Sequence, residues 1–253
     1  MQDITLFFVG ILIGAMNAVA GGGILIGFPI MLALGISPLV ANVTGHVVTL
    51  PGLASAVYGY RKHIKKVPKK YMWLLVPVVL GTIVGAIILL HTSSAKFAQI
   101  VPFLIFLSVL LFAYQPYLHH ELHKHIHTKS KRVTPLVLIG VALFPVSVYG
   151  GYFGAGFGFI MLAFLGFTKL HAIHKMNGLK NLAGLVISLI TTAFFLNSGL
   201  INWRFAFFMG IGTAVGGYYS AVLSQKVSTH AIRLVVITVG FCTAAYIGIN
   251  SAM

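Results

Sequence analysis

Acidic side chains are almost absent from this chain: of 253 positions, only Asp3 and Glu121 carry a carboxylate. Neither lies inside an apolar run, which excludes the commonest proton relays, carboxylate-lined cation sites and two-carboxylate catalysis. Cysteine is just as scarce. Cys242 stands alone in the last apolar run, so there is no disulfide framework and no thiolate metal centre, and packing is its expected role. Charged residues of both signs make up 8% of the chain against 58% hydrophobic residues, with a mean hydropathy of +0.99. That is too little polar surface for a soluble domain of this length, and it implies an all-α polytopic membrane protein with the lipid bilayer as its solvent. No basic segment precedes the apolar run that starts at Ile4, so no cleavable signal peptide is expected.

Basic residues and glycines are abundant instead. The formal charge of +15 does not point to nucleic acid, because the basic residues sit in short loops between apolar runs and so report topology. The glycines organise the chain. Ala20–Gly35 recurs 131 positions later as Gly151–Gly166, pairing Gly23 with Gly154, Gly27 with Gly158, Phe28 with Phe159 and Gly35 with Gly166. The same offset carries Gly81, Gly85 and Ala86 onto Gly212, Gly216 and Gly217. Such register indicates a duplicated unit, which in a membrane protein is the usual signature of a secondary transporter with its site between the halves.

The first repeat is expected over 1–118, with a glycine-broken hairpin at 4–35 and spans at 38–60, 71–91 and 97–117. A basic, His-rich loop follows at 119–132. The second repeat covers 133–253, with a hairpin at 133–167 and spans at 171–197, 203–223 and 229–249. As one straight helix 4–35 would rise about 48 Å, well past a hydrocarbon core of about 30 Å, so a break at Gly21–Gly23 is required. If both glycine segments are re-entrant, 15 of the 17 Lys and Arg fall on one side, against 11 if both cross fully. The positive-inside rule therefore favours an inverted repeat with both termini outside, in a multi-pass inner (plasma) membrane protein. Full crossings remain the alternative.

At a hairpin tip inside a bilayer, glycine lets successive backbone N–H groups converge, and helices starting there add positive dipole ends, a combination suited to an anion. The candidate substrate-binding set is Asn17, Gly21, Gly22, Gly23, Asn42, Thr44, His46, Thr49, Gly151, Gly154, Gly156, Asn177, Lys180 and Asn181. Asn177, Lys180 and Asn181 share one helix face by their i, i+3 and i+4 spacing. Lys180 falls near mid-membrane with no carboxylate to neutralise it. Either it snorkels toward the inner surface or the transported species is its counter-ion. His46 is a proton-coupling group or a neutral hydrogen-bonding one. At the offset of 131 it corresponds to Asn177, Thr44 to Lys175 and Thr49 to Lys180. The run His119–His127 invites a metal reading, but it lies in a basic loop with no second ligand cluster, so no metal and no cofactor are expected.

MNAVAGGG at Met16–Gly23, LVANVTG at Leu39–Gly45, GGYFGAGFG at Gly150–Gly158, NGLKNL at Asn177–Leu182 and SGLINW at Ser198–Trp203 together resemble the TauE/SafE family of sulfite and organosulfonate exporters, over essentially the whole chain. The resemblance implies export of a small anion from the cytoplasm. It places His46 where a smaller or amide polar residue is expected, a departure that bears on which anion is carried. An importer or a channel-like anion pathway is the competing transport reading. A membrane-embedded enzyme or an assembly subunit is the reading from another class. The residues leave the oligomeric state open, a homodimer included.

Overall fold

A computed structural model describes residues 2–127, 136–168, 170 and 172–224, with backbone alone over 111–127. The protein is an all-helical membrane protein. Its elements are α1 (Gln2–Val19), α2 (Ile24–Ala33), α3 (Pro38–Gly59), the short α4 (Arg61–Ile64), a 3-10 turn at Lys69–Leu74 leading into α5 (Leu75–Leu90), α6 (Ser94–His127), α7 (Leu136–Tyr152), α8 (Phe157–Gly166), α9 (Ile173–Phe195) and α10 (Trp203–Leu223). Five stretches among the described residues are long and apolar enough to cross a membrane: Gln2–Val19, Pro38–Gly59, Lys69–Leu90, Ile173–Phe195 and Trp203–Leu223. The span expected at 229–249 lies outside the described residues. The expected loop at 119–132 begins later than the sequence suggests, since the backbone of α6 stays helical to His127.

Glycine breaks each expected hairpin. α1 stops at Val19 because Gly21, at a φ of 89°, takes a left-handed turn that residues with a Cβ avoid, and α2 then runs back beside α1. Return rather than continuation follows from the contacts: Gly22 approaches Met16 while Gly23 and Gly27 approach Ile13. The second tip repeats the turn. Ala20 and Gly21 donate to Met16 O, and Phe153 and Gly154 donate to Tyr149 O. In each hairpin the first leg is long and the second short: 18 and 10 residues in the first, 17 and 10 in the second, or about 27 Å against 15 Å of helical rise.

The turns align at an offset of 133, Gly21 with Gly154, and not at the 131 expected from the glycine pattern. At the start of α3 and α9 the offset grows to 135, Ser37 matching Ala172 as the residue before each helix. The reason is loop length. Leu34–Ser37 joins α2 to α3, whereas the longer 167–172 joins α8 to α9; the long connection between α3 and α5 then restores 131, so that Thr82 matches Thr213. The pairings of His46 with Asn177 and Thr49 with Lys180 do not survive this shift.

Packing crosses the halves. α1 lies on α10 and α3 on α10, while α7 lies on α5 and α9 on α5. Backbones touch: a Cβ on Gly10 would sit 2.2 Å from Met209 O, and one on Gly85 would sit 2.1 Å from Val148 O. Without hydrophobic drive between helices in lipid, such small-residue contacts are what holds them together. The contacts also give direction. Gly10 and Gly14 meet Met209 and Thr213 in ascending order, as do Gly52 and Gly59 with Thr213 and Ala221, so α1, α3 and α10 run parallel. Thr49 meets Ser188 while Leu53 meets Gly184, so α3 and α9 run antiparallel.

Candidate functional site

The two glycine turns meet. A Cβ on Gly21 would lie 2.7 Å from Gly158 Cα, and one on Gly22 would lie 2.5 Å from the Phe159 ring. Behind the tips Phe28 and Phe153 pack edge to face with centroids 5.5 Å apart. Only glycine permits so close an approach, and both partners are glycine at the closest point.

A cavity of about 50 Å³ opens where the tips meet α3 and α9. Asn17, Gly21 and Ile24 line it from the first hairpin and Gly154, Phe157 and Gly158 from the second; α3 adds His46, Thr49 and Leu53, and α9 adds Lys180, Gly184, Ile187 and Ser188. Helices α2 and α8 begin at Ile24 and Phe157, so both present their N-terminal, partially positive ends to this space. The hydroxyls of Thr49 and Ser188 join across α3 and α9 at 3.1 Å.

Lys180 is 2% exposed. Its Nζ donates to Asn17 O at 2.7 Å and to Ala18 O at 3.1 Å. These are last-turn carbonyls of α1, which have no partner within their own helix and carry its negative partial charge. Lys180 therefore does not snorkel to the surface; its partners within the protein are neutral carbonyls. Backbone carbonyls hold it, and they carry only partial negative charge. Asp3, 2.8 Å from Arg204 on the exposed surface, is not among the residues that line this cavity.

His46 is 1% exposed, and its Nε2 has no hydrogen-bond partner within the protein. Its ring edge faces the second tip: a Cβ on Gly154 would lie 2.8 Å from His46 Cε1. The ring of Phe195 stands 6.3 Å away.

Of the fourteen candidate residues, the cavity gathers Asn17, Gly21, His46, Thr49, Gly154 and Lys180. The other eight are not among its lining residues. Asn42 Nδ2 donates to Tyr152 O at 2.9 Å, and Asn181 Nδ2 donates to Ala18 O and Asn177 O, each at 2.9 Å, so these amides fasten helix ends. Thr44 Oγ1 accepts from Asn202 N at 3.0 Å. Gly23 donates to Asn17 Oδ1 at 2.7 Å, Gly22 is filled by Phe159, and Gly151 fits against Thr82. Gly156, at a φ of 84°, is the residue before α8, and Asn177 is buried beside Asn181. Sequence reading missed Ser188 and Gly158. Ser188 continues the Lys180, Gly184 face by successive turns of α9, a periodicity that stopped being followed at Asn181.

Among the described residues no group of three or more metal-ligating side chains occurs. The side chains of His119–His127 lie outside those described.

Residues 6–247 match the family described as sulfite exporter TauE/SafE. A probable membrane transporter protein of Haemophilus influenzae is 32% identical over 95% of this chain and 92% of its own length. The probable membrane transporter protein YfcA of Escherichia coli K12 is 27% identical over 95% of the chain and 87% of its own. A probable membrane transporter protein, ORF9, of a Sinorhizobium species is 26% identical over 96% and 94%. No solved structure matches significantly.

Proposed function

The chain belongs to the TauE/SafE family of membrane transporters, which are not enzymes, and on that premise we propose that it exports a small oxyanion, sulfite or a related sulfur species, across the inner membrane by alternating access. The observation that carries this reading is the cavity between the hairpin tips, where one ammonium and two helix N-termini converge with no carboxylate among the lining residues. A cation would meet repulsion there; an anion meets charge and donors already in place.

Size favours the small end of the family's cargo. One water needs about 10–15 Å³ by this measure, so about 50 Å³ suits an ion of a few heavy atoms better than a long-chain sulfonate. The antiparallel run of α3 against α9 supports an inverted repeat, with the two hairpins entering from opposite faces and meeting near the middle. Helix direction supports the orientation too. Arg61–Lys70 and Lys175 lie at one end of the bundle, Lys96 and Arg204 at the other, as a cytoplasmic basic end requires.

Flux into and out of proteoliposomes, with sulfite, sulfate, thiosulfate and a sulfonate, tests the reading. Wild-type protein is expected to carry sulfite, and Lys180→Ala to carry at least ten-fold less. Wild-type liposomes that pass none of these anions would rule the proposal out; undiminished flux through Lys180→Ala would remove the ammonium from the site.

A further inference from the structure

We infer that His46 is the residue that selects among anions of equal charge, reading the cargo through a directed hydrogen bond from Nε2, while Lys180 attracts anions by their charge and not by their shape. The inference rests on the transport reading above and assigns roles within the same cavity.

Lys180, His46 and Asn17 can donate to an anion there and differ in how they are held; Asn17 is half-buried and tied to Gly23 N–H only through Oδ1. Lys180 is already engaged with two carbonyls of α1, and an ammonium on a flexible stem donates in three directions. Its attraction depends on distance far more than on the shape of the anion. His46 is different. Its ring is confined between the Gly154 turn and Phe195, is 1% exposed, and leaves Nε2 without a partner inside the protein. A neutral imidazole carries one N–H on a rigid plane, so the donor has one direction.

Other buried polar atoms without partners cannot do this work. Asn42 Oδ1, Asn177 Oδ1 and Asn181 Oδ1 are acceptors that an anion avoids, and His174 and Thr192 stand away from the cavity lining. A buried donor left unpaired is costly, and protein interiors keep one where something else completes the bond. Thr49, one turn after His46, donates to its backbone O and shares a hydrogen bond with Ser188, so the hydroxyls beside the imidazole are mutually satisfied. The position most able to discriminate is therefore Nε2 itself. A site that hydrogen-bonds its substrate rejects analogues that cannot complete the bond far more strongly than an apolar pocket of the same size would.

The test compares ratios, not rates. Flux of sulfite, sulfate, thiosulfate and methanesulfonate is measured in proteoliposomes for wild type, His46→Leu, His46→Met, His46→Gln and Lys180→Met. Both apolar variants at position 46 keep a side chain of similar bulk without a donor. Each is expected to change the flux ratio between the best and worst anion at least five-fold, with His46→Gln, which restores an N–H, lying closer to wild type. Lys180→Met is expected to lower the fluxes of the two dianions, sulfate and thiosulfate, by a common factor and that of the monoanion methanesulfonate by less. Unchanged ratios in both apolar variants would overturn the inference, and should His46→Leu not fold, His46→Met decides. A change in the sulfate-to-thiosulfate ratio in Lys180→Met with none at position 46 would also overturn it. Wild-type protein that carries none of the four would instead sink the transport reading beneath it.

Discussion

The two hairpin tips share a turn and differ in what steadies it. At the first, Gly23 N–H is taken by Asn17 Oδ1, and the exposed carbonyls of Asn17 and Ala18 are taken by Lys180, with Asn181 on Ala18 as well. At the second, Ala155 O accepts from both Tyr149 Oη at 2.6 Å and Ser108 Oγ at 3.1 Å, and Tyr152 O accepts from Asn42. One tip is fastened through a cation and two amides; the other by neutral hydroxyls from α6 and α7 and one amide from α3. The two tips thus share backbone geometry while their chemistry differs. The charge of the site enters from one half and its directed imidazole from the other, since the helix after each hairpin reaches the opposite tip.

The sharpest way to break the likeness between the tips is to separate them. Gly21→Ala places a Cβ 2.7 Å from Gly158 Cα at a φ of 89°, so left-handed strain of about 1–2 kcal/mol adds to overpacking of about 1–3 kcal/mol. Transport is expected to be lost and thermal unfolding lowered. Gly35→Ala, at a φ of 84° but with nothing within 4 Å, suffers the strain alone and is expected to keep most of its flux. Equal damage from both would mean that tip contact is unimportant.

A smaller effect should tell the two fastenings apart. Asn17→Ala leaves Gly23 N–H without its acceptor, costing about 1–2 kcal/mol, as loss of a helix cap does. Tyr149→Phe removes one of two donors to Ala155 O, and with Ser108 remaining the cost is about 1 kcal/mol or less. Thermal unfolding of purified protein should rank them in that order; the reverse order would place the more fragile fastening at the second tip.

The smallest effect lies away from both tips, where His63 of α4 meets His174 of α9 with ring centroids 5.1 Å apart. Partial burial, and then the nearby charges of His174, Lys66 and Lys175, hold the His63 pKa below its usual value. Protonation therefore favours the unfolded chain: this contribution is full above about pH 6.5 and declines as pH falls below it. His63→Gln is expected to flatten that decline by a few tenths of a kcal/mol while leaving flux at neutral pH unchanged. A wild-type unfolding curve with no slope from pH 7 to 5 would contradict it.

Much of the fold was legible in the chain because membrane insertion is read off local hydropathy. Helix limits such as Trp203–Leu223 follow from apolar length, and the break after Val19 follows from three glycines in a row. Register between the halves was not legible to better than two to four residues. Glycines matched at 131 because Gly-rich runs match at several offsets, whereas the turn itself picks out Gly21 and Gly154. Among the site residues, Asn17, His46, Thr49 and Lys180 stood out as polar residues in apolar surroundings. The same signal also drew in Asn42, Thr44 and Asn181, which use their polarity to fasten helix ends.

Composition by itself determined that this is a helical membrane protein, that its glycine segments break the first apolar run, and that its apolar runs contain no carboxylate to attract cations. Those are local or global sums, and no partner needs to be known. Only the tertiary structure decided that the tips touch, that Lys180 is held by carbonyls 163 and 162 positions earlier, and that His46 is buried where the tips meet with an Nε2 that has no partner within the protein. A hydrogen bond is a property of two groups, and when they lie in different halves of the chain neither one's neighbours in sequence reveal the other.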